Sequence, residues 1–109
     1  MPGSENWIKA VDAKKVGRED VVRWDHDGRS FAIFRTSDDE YYATDDICTH
    51  EYAHISDGYV EGTTVECPRH AGCFDIRTGQ ALNPPVCVNL RTFPVKVEDG
   101  AIYLDIAER

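Results

Sequence analysis

At 109 residues the chain is the size of one domain, with room for a modest core and none for a separate catalytic domain beside a metal site. Twenty acidic residues against twelve basic ones give a formal net charge of −8, which argues against nucleic acid and anionic membrane surfaces and suits a basic protein partner. No stretch approaches the roughly 18 apolar residues of a membrane span, and the opening "MPGSENW" has neither a basic leader nor an apolar run, so a cytoplasmic location is expected.

Apolar and β-branched residues fall in short runs along the chain: "WIKAV", "VVRW", "FAIF", "YYAT", "TTVEC", "FDI", "FPVKV" and "AIYLDI". These runs predict strands separated by turn formers. "VDAKKVGRED" has room for one helical turn, which Gly17 limits. "DHDGR" between "VVRW" and "FAIF" is a turn, and the Asp-Gly pair in "EDG" between "FPVKV" and "AIYLDI" favours a tight hairpin. "YVEGTTVEC" is expected to form two strands around Gly62. No segment keeps helical spacing for more than about a turn, and no repeat is visible. The fold class is therefore all-β, a mainly antiparallel barrel or sandwich. Trp7, Trp24, Phe31, Phe34 and Tyr103 are expected in its core.

Four cysteines without a leader, in a reducing compartment, point to metal binding or to free thiols rather than disulfides. In "ICTHEYAH" and "CPRHAGCF" the pattern is C-x-H-x16-C-x2-H, formed by Cys48, His50, Cys67 and His70. Each half puts one thiolate and one imidazole in a short loop, and a hairpin between them would bring the loops together. Two sulfur and two nitrogen ligands fit either tetrahedral zinc or a two-iron cluster with cysteines on one iron and histidines on the other. Zinc motifs usually keep like ligands together, whereas here both loops are mixed in the same order. His54 has no partner at matching spacing and is expected to be an exposed loop histidine. Cys73 and Cys87 are expected to be reduced, partly buried thiols. Asp45, Asp46, Glu51, Asp57, Glu61 and Glu66 are expected to form a negative docking rim around the site.

"CTH" followed by "CPRH" and the later "NPP" resembles the Rieske proteins from about Trp7 to Ile106. "SDGYVEG", "ECPRH", "FDIRTG" and "FPVKVEDG" are most similar to the ferredoxins of bacterial aromatic ring-hydroxylating dioxygenase systems. The resemblance implies one 2Fe-2S cluster, with Cys48 and Cys67 on the buried iron and His50 and His70 on the outer one. Asn83, Pro84 and Pro85 would belong to a third loop closing over it. It also implies a β-sandwich base of residues 1–44 and 86–109, with a cluster-binding subdomain at 45–85. Where respiratory Rieske proteins have an additional disulfide, this chain has Ala53 and Arg69. Where they carry hydroxyl donors to the cluster sulfurs, it has Gly72 and Phe74. Both departures fit the low-potential branch.

Neutral imidazoles in place of two thiolates leave the oxidised cluster formally uncharged, which eases electron uptake. The chain carries neither a G-x-G-x-x-G fingerprint nor an additional two-histidine, one-carboxylate set. The expectation is thus a monomeric electron carrier, not itself an enzyme. The resemblance implies a flavin-containing, nicotinamide-dependent reductase as donor and a terminal oxygenase as acceptor. Alternatives are a Rieske-type small subunit of nitrite reductase, a zinc-stabilised interaction module, and a membrane-complex Rieske subunit, which the missing anchor and cysteine pair argue against.

Overall fold

The computed structural model describes residues 6–48, 53–68, 72–83 and 88–107. The strands are β1 (Trp7–Asp12), β2 (Asp20–His26), β3 (Arg29–Arg35), β4 (Tyr41–Asp45), β5 (Tyr59–Glu61), β6 (Thr64–Glu66), β7 (Cys73–Asp75), β8 (Thr92–Phe93), β9 (Val95–Glu98) and β10 (Ala101–Asp105). Helix among the described residues is limited to two 3-10 turns, Ala13–Lys15 and Ile55–Asp57. The strands make three antiparallel sheets, ordered β1-β10-β9, β2-β3-β4-β8 and β5-β6-β7. The all-β expectation holds, and the third sheet lies wholly between β4 and β8 in the chain.

Two hairpins follow directly from Asp-Gly pairs. Asp27 and Gly28 have φ of 51° and 77°, and Asp99 and Gly100 have φ of 53° and 76°. Two consecutive residues in the left-handed region match the right-handed twist of the flanking strands. The pairs His26 with Arg29 and Glu98 with Ala101 close the two ladders.

"FPVKV" is not one strand but two. Pro94 has no N–H to give a ladder, and the chain changes sheets there, from β8 beside β4 to β9 beside β10. Its carbonyl still accepts the Asp105 N–H at 3.1 Å, so the crossing stays tied to β10.

All four residues of "FAIF" in β3 are buried, and the two-residue period sends them to different cores. Phe31 and Ile33 join Val16, Ala43, Phe93, Ile102 and Leu104 in the base. Ala32 and Phe34 join Cys48, Ile55, Val65, Cys67 and Phe74 on the other face. Phe34 is therefore a core residue, but of the second core and not of the base. Nor are Trp7 and Tyr103 fully buried, since their rings flank the Lys96 ammonium at 5.2 and 5.4 Å.

Two glycines in the cluster-side region have different reasons to be there. Gly62, at φ 63°, turns β5 into β6 with open space where a Cβ would stand. Gly79, at φ 78°, has the Leu90 carbonyl oxygen where its Cβ would be, and its own carbonyl accepts the Leu90 N–H at 2.7 Å. Gly62→Ala is expected to cost about 1 kcal/mol of unfolding free energy, the left-handed conformation alone. Gly79→Ala must add a backbone collision and should cost about 3 kcal/mol. Denaturation midpoints of the two variants test this, and equal losses would contradict it.

Candidate metal centre

The described parts of the two Cys-His loops are built alike. The Cys48 N–H donates to the Ala53 carbonyl at 2.8 Å, and the Cys67 N–H donates to the Gly72 carbonyl at 2.8 Å. Each bond joins a cysteine to the residue five positions on. Just outside each, the flanking residues pair as well, Ile47 with His54 and Glu66 with Cys73. Cys48 and Cys67 are both buried, 3% and 1% exposed, within one apolar cluster. His50 and His70, the imidazole members of the pattern, lie outside the described residues, as do Arg69, Pro84, Pro85 and Cys87.

A third segment meets the stem of the second loop through one asparagine side chain and is closed on itself by another. The Asn83 side-chain oxygen accepts the Cys73 N–H at 2.7 Å, and that of Asn89 accepts the Ala81 N–H at 2.9 Å. The Leu82 N–H donates to the Cys73 carbonyl at 2.9 Å, and Phe74 bridges to Ala81. Residues 83 and 89 thus bracket the proline stretch at its two ends. The family resemblance gives Asn83 a place in a third loop, whereas nothing in the sequence marks Asn89.

The largest surprise is Asp46, which is fully buried and cannot belong to an acidic rim. One carboxylate oxygen takes the Ser56 N–H at 2.7 Å, while the other takes the Ser30 hydroxyl at 2.7 Å and His54 Nδ1 at 2.6 Å. Burial pushes this carboxyl up, but the donors from Ser30, His54 and Ser56 outweigh it and hold the group below its ordinary range. An ionised carboxylate has no proton to give, so His54 Nδ1 is the donor. His54 is accordingly a half-buried member of this network and not the exposed loop histidine expected. Nothing in the spacing announces it, because Ser30 stands sixteen residues before Asp46 and only folding brings the two together.

Cys73 follows the second loop, half-buried in β7, where desolvation and then Glu66 and Glu61 push its thiol up. Such a thiol is held in its protonated, unreactive form. It lines an open groove with Arg18, Glu19, Tyr59, Glu61 and Glu66.

Two buried cysteines on two identically closed loops suit a compact cofactor with soft ligands. The Rieske [2Fe-2S] domain model matches residues 6–94. The chain belongs to the Rieske [2Fe-2S] domain family. An iron-sulfur cofactor comes with that membership. This Rieske chain is 41% identical to the ferredoxin component of the naphthalene 1,2-dioxygenase system of Pseudomonas aeruginosa over 104 residues, 95% of this chain and 99% of that one. Among solved structures it superposes on a chain from the complex of reduced oxygenase and oxidised ferredoxin in carbazole 1,9a-dioxygenase. The TM-score there is 0.88 with 33% identity, covering 97% of this chain and 98% of the other. A nitrite reductase small subunit shares the fold at a TM-score of 0.76 and 22% identity over 90% of this chain and 96% of that one.

Ala53 uses its carbonyl to close the first loop. Phe74 is fully buried in the cluster that contains both cysteines, so its ring presents no hydroxyl to them.

Proposed function

We propose that this chain is a Rieske ferredoxin that carries single electrons from a flavin-containing, nicotinamide-dependent reductase to the terminal oxygenase of an aromatic ring-hydroxylating dioxygenase system, without being an enzyme itself. The observation that carries this reading is the near end-to-end similarity to a dioxygenase ferredoxin component, 99% of whose length is matched. The similarity to a chain from an oxygenase-ferredoxin complex supports the acceptor. The nitrite reductase small subunit is the weaker alternative, because its likeness at 22% identity extends to the fold only. No helix among the described residues is long and apolar enough to cross a membrane.

In this reading residues 45–85 are the cluster-binding subdomain on a base of residues 1–44 and 86–109. Cys48 and Cys67 hold one iron and His50 and His70 the other. When bound, a two-iron cluster supplies a one-electron couple. The chain's own residues bury the two thiolates in apolar surroundings shared by Phe34, Val65 and Phe74, which keeps water from them. They also turn two backbone N–H groups into loop closures, so each cysteine is held from its main chain as well as its side chain.

The reading requires two irons and two acid-labile sulfides per chain in the purified protein. His50→Ala and His70→Ala should lose the cluster or alter it greatly, while His54→Ala should retain it. Iron analysis and paramagnetic resonance of the reduced protein decide this. Loss of iron from His54→Ala together with retention in His50→Ala would overturn the ligand assignment.

The proposed docking rim is smaller than the sequence suggests, since Asp46 is buried. Asp57 and Glu61 are exposed and Asp45 and Glu66 half-buried, while Glu51 lies outside the described residues. Exposed charges act mostly on the rate of encounter and are screened by salt. The second-order rate of reduction by the cognate reductase should fall as ionic strength rises. A flat profile would remove electrostatic docking from the account.

Reduction adds negative charge to the cluster, so a hydroxyl aimed at a ligand sulfur favours the reduced state. The apolar Phe74 offers none, which places the potential near the low end of the Rieske range, roughly −150 mV. Phe74→Tyr should raise it by some tens of millivolts, about half of the ~59 mV that a tenfold change represents for one electron. Voltammetry of both proteins tests the assignment, and a wild-type potential well above zero would contradict it.

A further inference from the structure

The two loops close with the same hydrogen bond but stand on different stems. The second rises from a regular ladder in which Glu66 pairs with Cys73, Val65 with Phe74 and Thr64 with Asp75. Among the described residues, the first has one bridge, between Ile47 and His54. On one side β4 has already ended at Asp45, and on the other a 3-10 turn begins at Ile55. A lone bridge is a poor stem, since even a full two-stranded hairpin is marginal without further support.

Asp46 supplies that support from both its main chain and its side chain. Its carbonyl accepts the Ile55 N–H at 2.6 Å, and its N–H donates to the Ser30 carbonyl in β3 at 3.0 Å. Its carboxylate gathers Ser30, His54 and Ser56, as described above. Asp46 precedes Cys48 and His54 follows Ala53, so the His54 bond crosses the neck of the loop. The same carboxylate oxygen is anchored to β3 through Ser30. A charge-assisted bond to a buried carboxylate is among the stronger kinds, and this neck has few others.

We propose that His54 is a positioning residue for the first cluster loop, tying its neck through Asp46 to Ser30 of β3 as the β6–β7 ladder ties the second. The inference rests on the reading of Cys48 and Cys67 as cluster ligands. It gives His54 a role through its hydrogen bond and not through iron.

Hydrogen exchange of the iron-loaded protein, read by mass spectrometry, tests it on peptides spanning residues 45–56 and 64–75. His54→Ala should keep its iron and exchange roughly tenfold faster in the first segment while leaving the second unchanged. His54→Asn, whose amide nitrogen can take the place of Nδ1, should restore the wild-type rate. Ser30→Ala approaches the same carboxylate from β3 and should loosen the first segment selectively too, which keeps the idea testable should His54→Ala fold poorly. Iron loss to a chelator should accelerate in the same order.

Equal acceleration of both segments, no acceleration, or an asparagine variant no better than alanine would overturn the proposal and leave the ligand assignment standing. A folded His54→Ala that lacks iron while His50→Ala retains it would overturn both, because His54 would then be a ligand.

Discussion

The arrangement depends on β3, whose four central residues are buried on both faces. A strand with one wet face would give the base a core and leave the cysteine loops to fold alone. Here Phe31 and Ile33 fill the base, while Ala32 and Phe34 form the floor on which Cys48, Cys67, Ile55 and Phe74 pack. The small sheet β5-β6-β7 would bury little apolar surface by itself, and two or three short strands are seldom stable alone in water. Sharing β3 and Val21 of β2 solves this, at the cost of making the metal centre and the base a single packing unit.

The two loops reach the same closing hydrogen bond from different stems. The β6–β7 ladder runs up to the second. The first leaves the end of β4 and returns into a 3-10 turn, so side chains brace its neck. A buried carboxylate is costly unless its lone pairs are satisfied, and Asp46 has three donors to satisfy them. Its charge holds the loop and lies 3.9 Å from the half-exposed Arg23 guanidinium.

The charge that does reach the surface is divided by the same folding. Glu61 and Asp57 stay exposed on the third sheet and its approach, and Glu19, also exposed, accepts the Gly62 N–H at 2.8 Å. Ser37 reaches the Gly62 carbonyl from the other side at 3.3 Å, so the β5-β6 turn is held by two base loops. The third sheet is thereby fixed at its turn as well as at its floor.

Strands, turns and the cysteine loops were legible in the sequence because each is written in local terms. The apolar run "AIYLDI" marks β10, Asp-Gly marks the two hairpins, and paired Cys-x-His and Cys-x2-His spacing marks the candidate site, of which the structure describes the two cysteines. Family likeness came from those same short motifs. What only the tertiary structure decided are relations between residues far apart in the chain. Nothing local to "FAIF" says that its alternate residues serve two cores, since a doubly buried strand reads as one apolar run. Nothing local to Pro94 says that the chain changes sheets there rather than merely bending. Asp46 looked like one more surface acid in an acidic chain, and His54 like a loop residue, until β3 brought Ser30 beneath them. A charged side chain carries no mark of its burial in its own neighbours, because what makes the burial tolerable is a set of donors that meet only when the chain has folded.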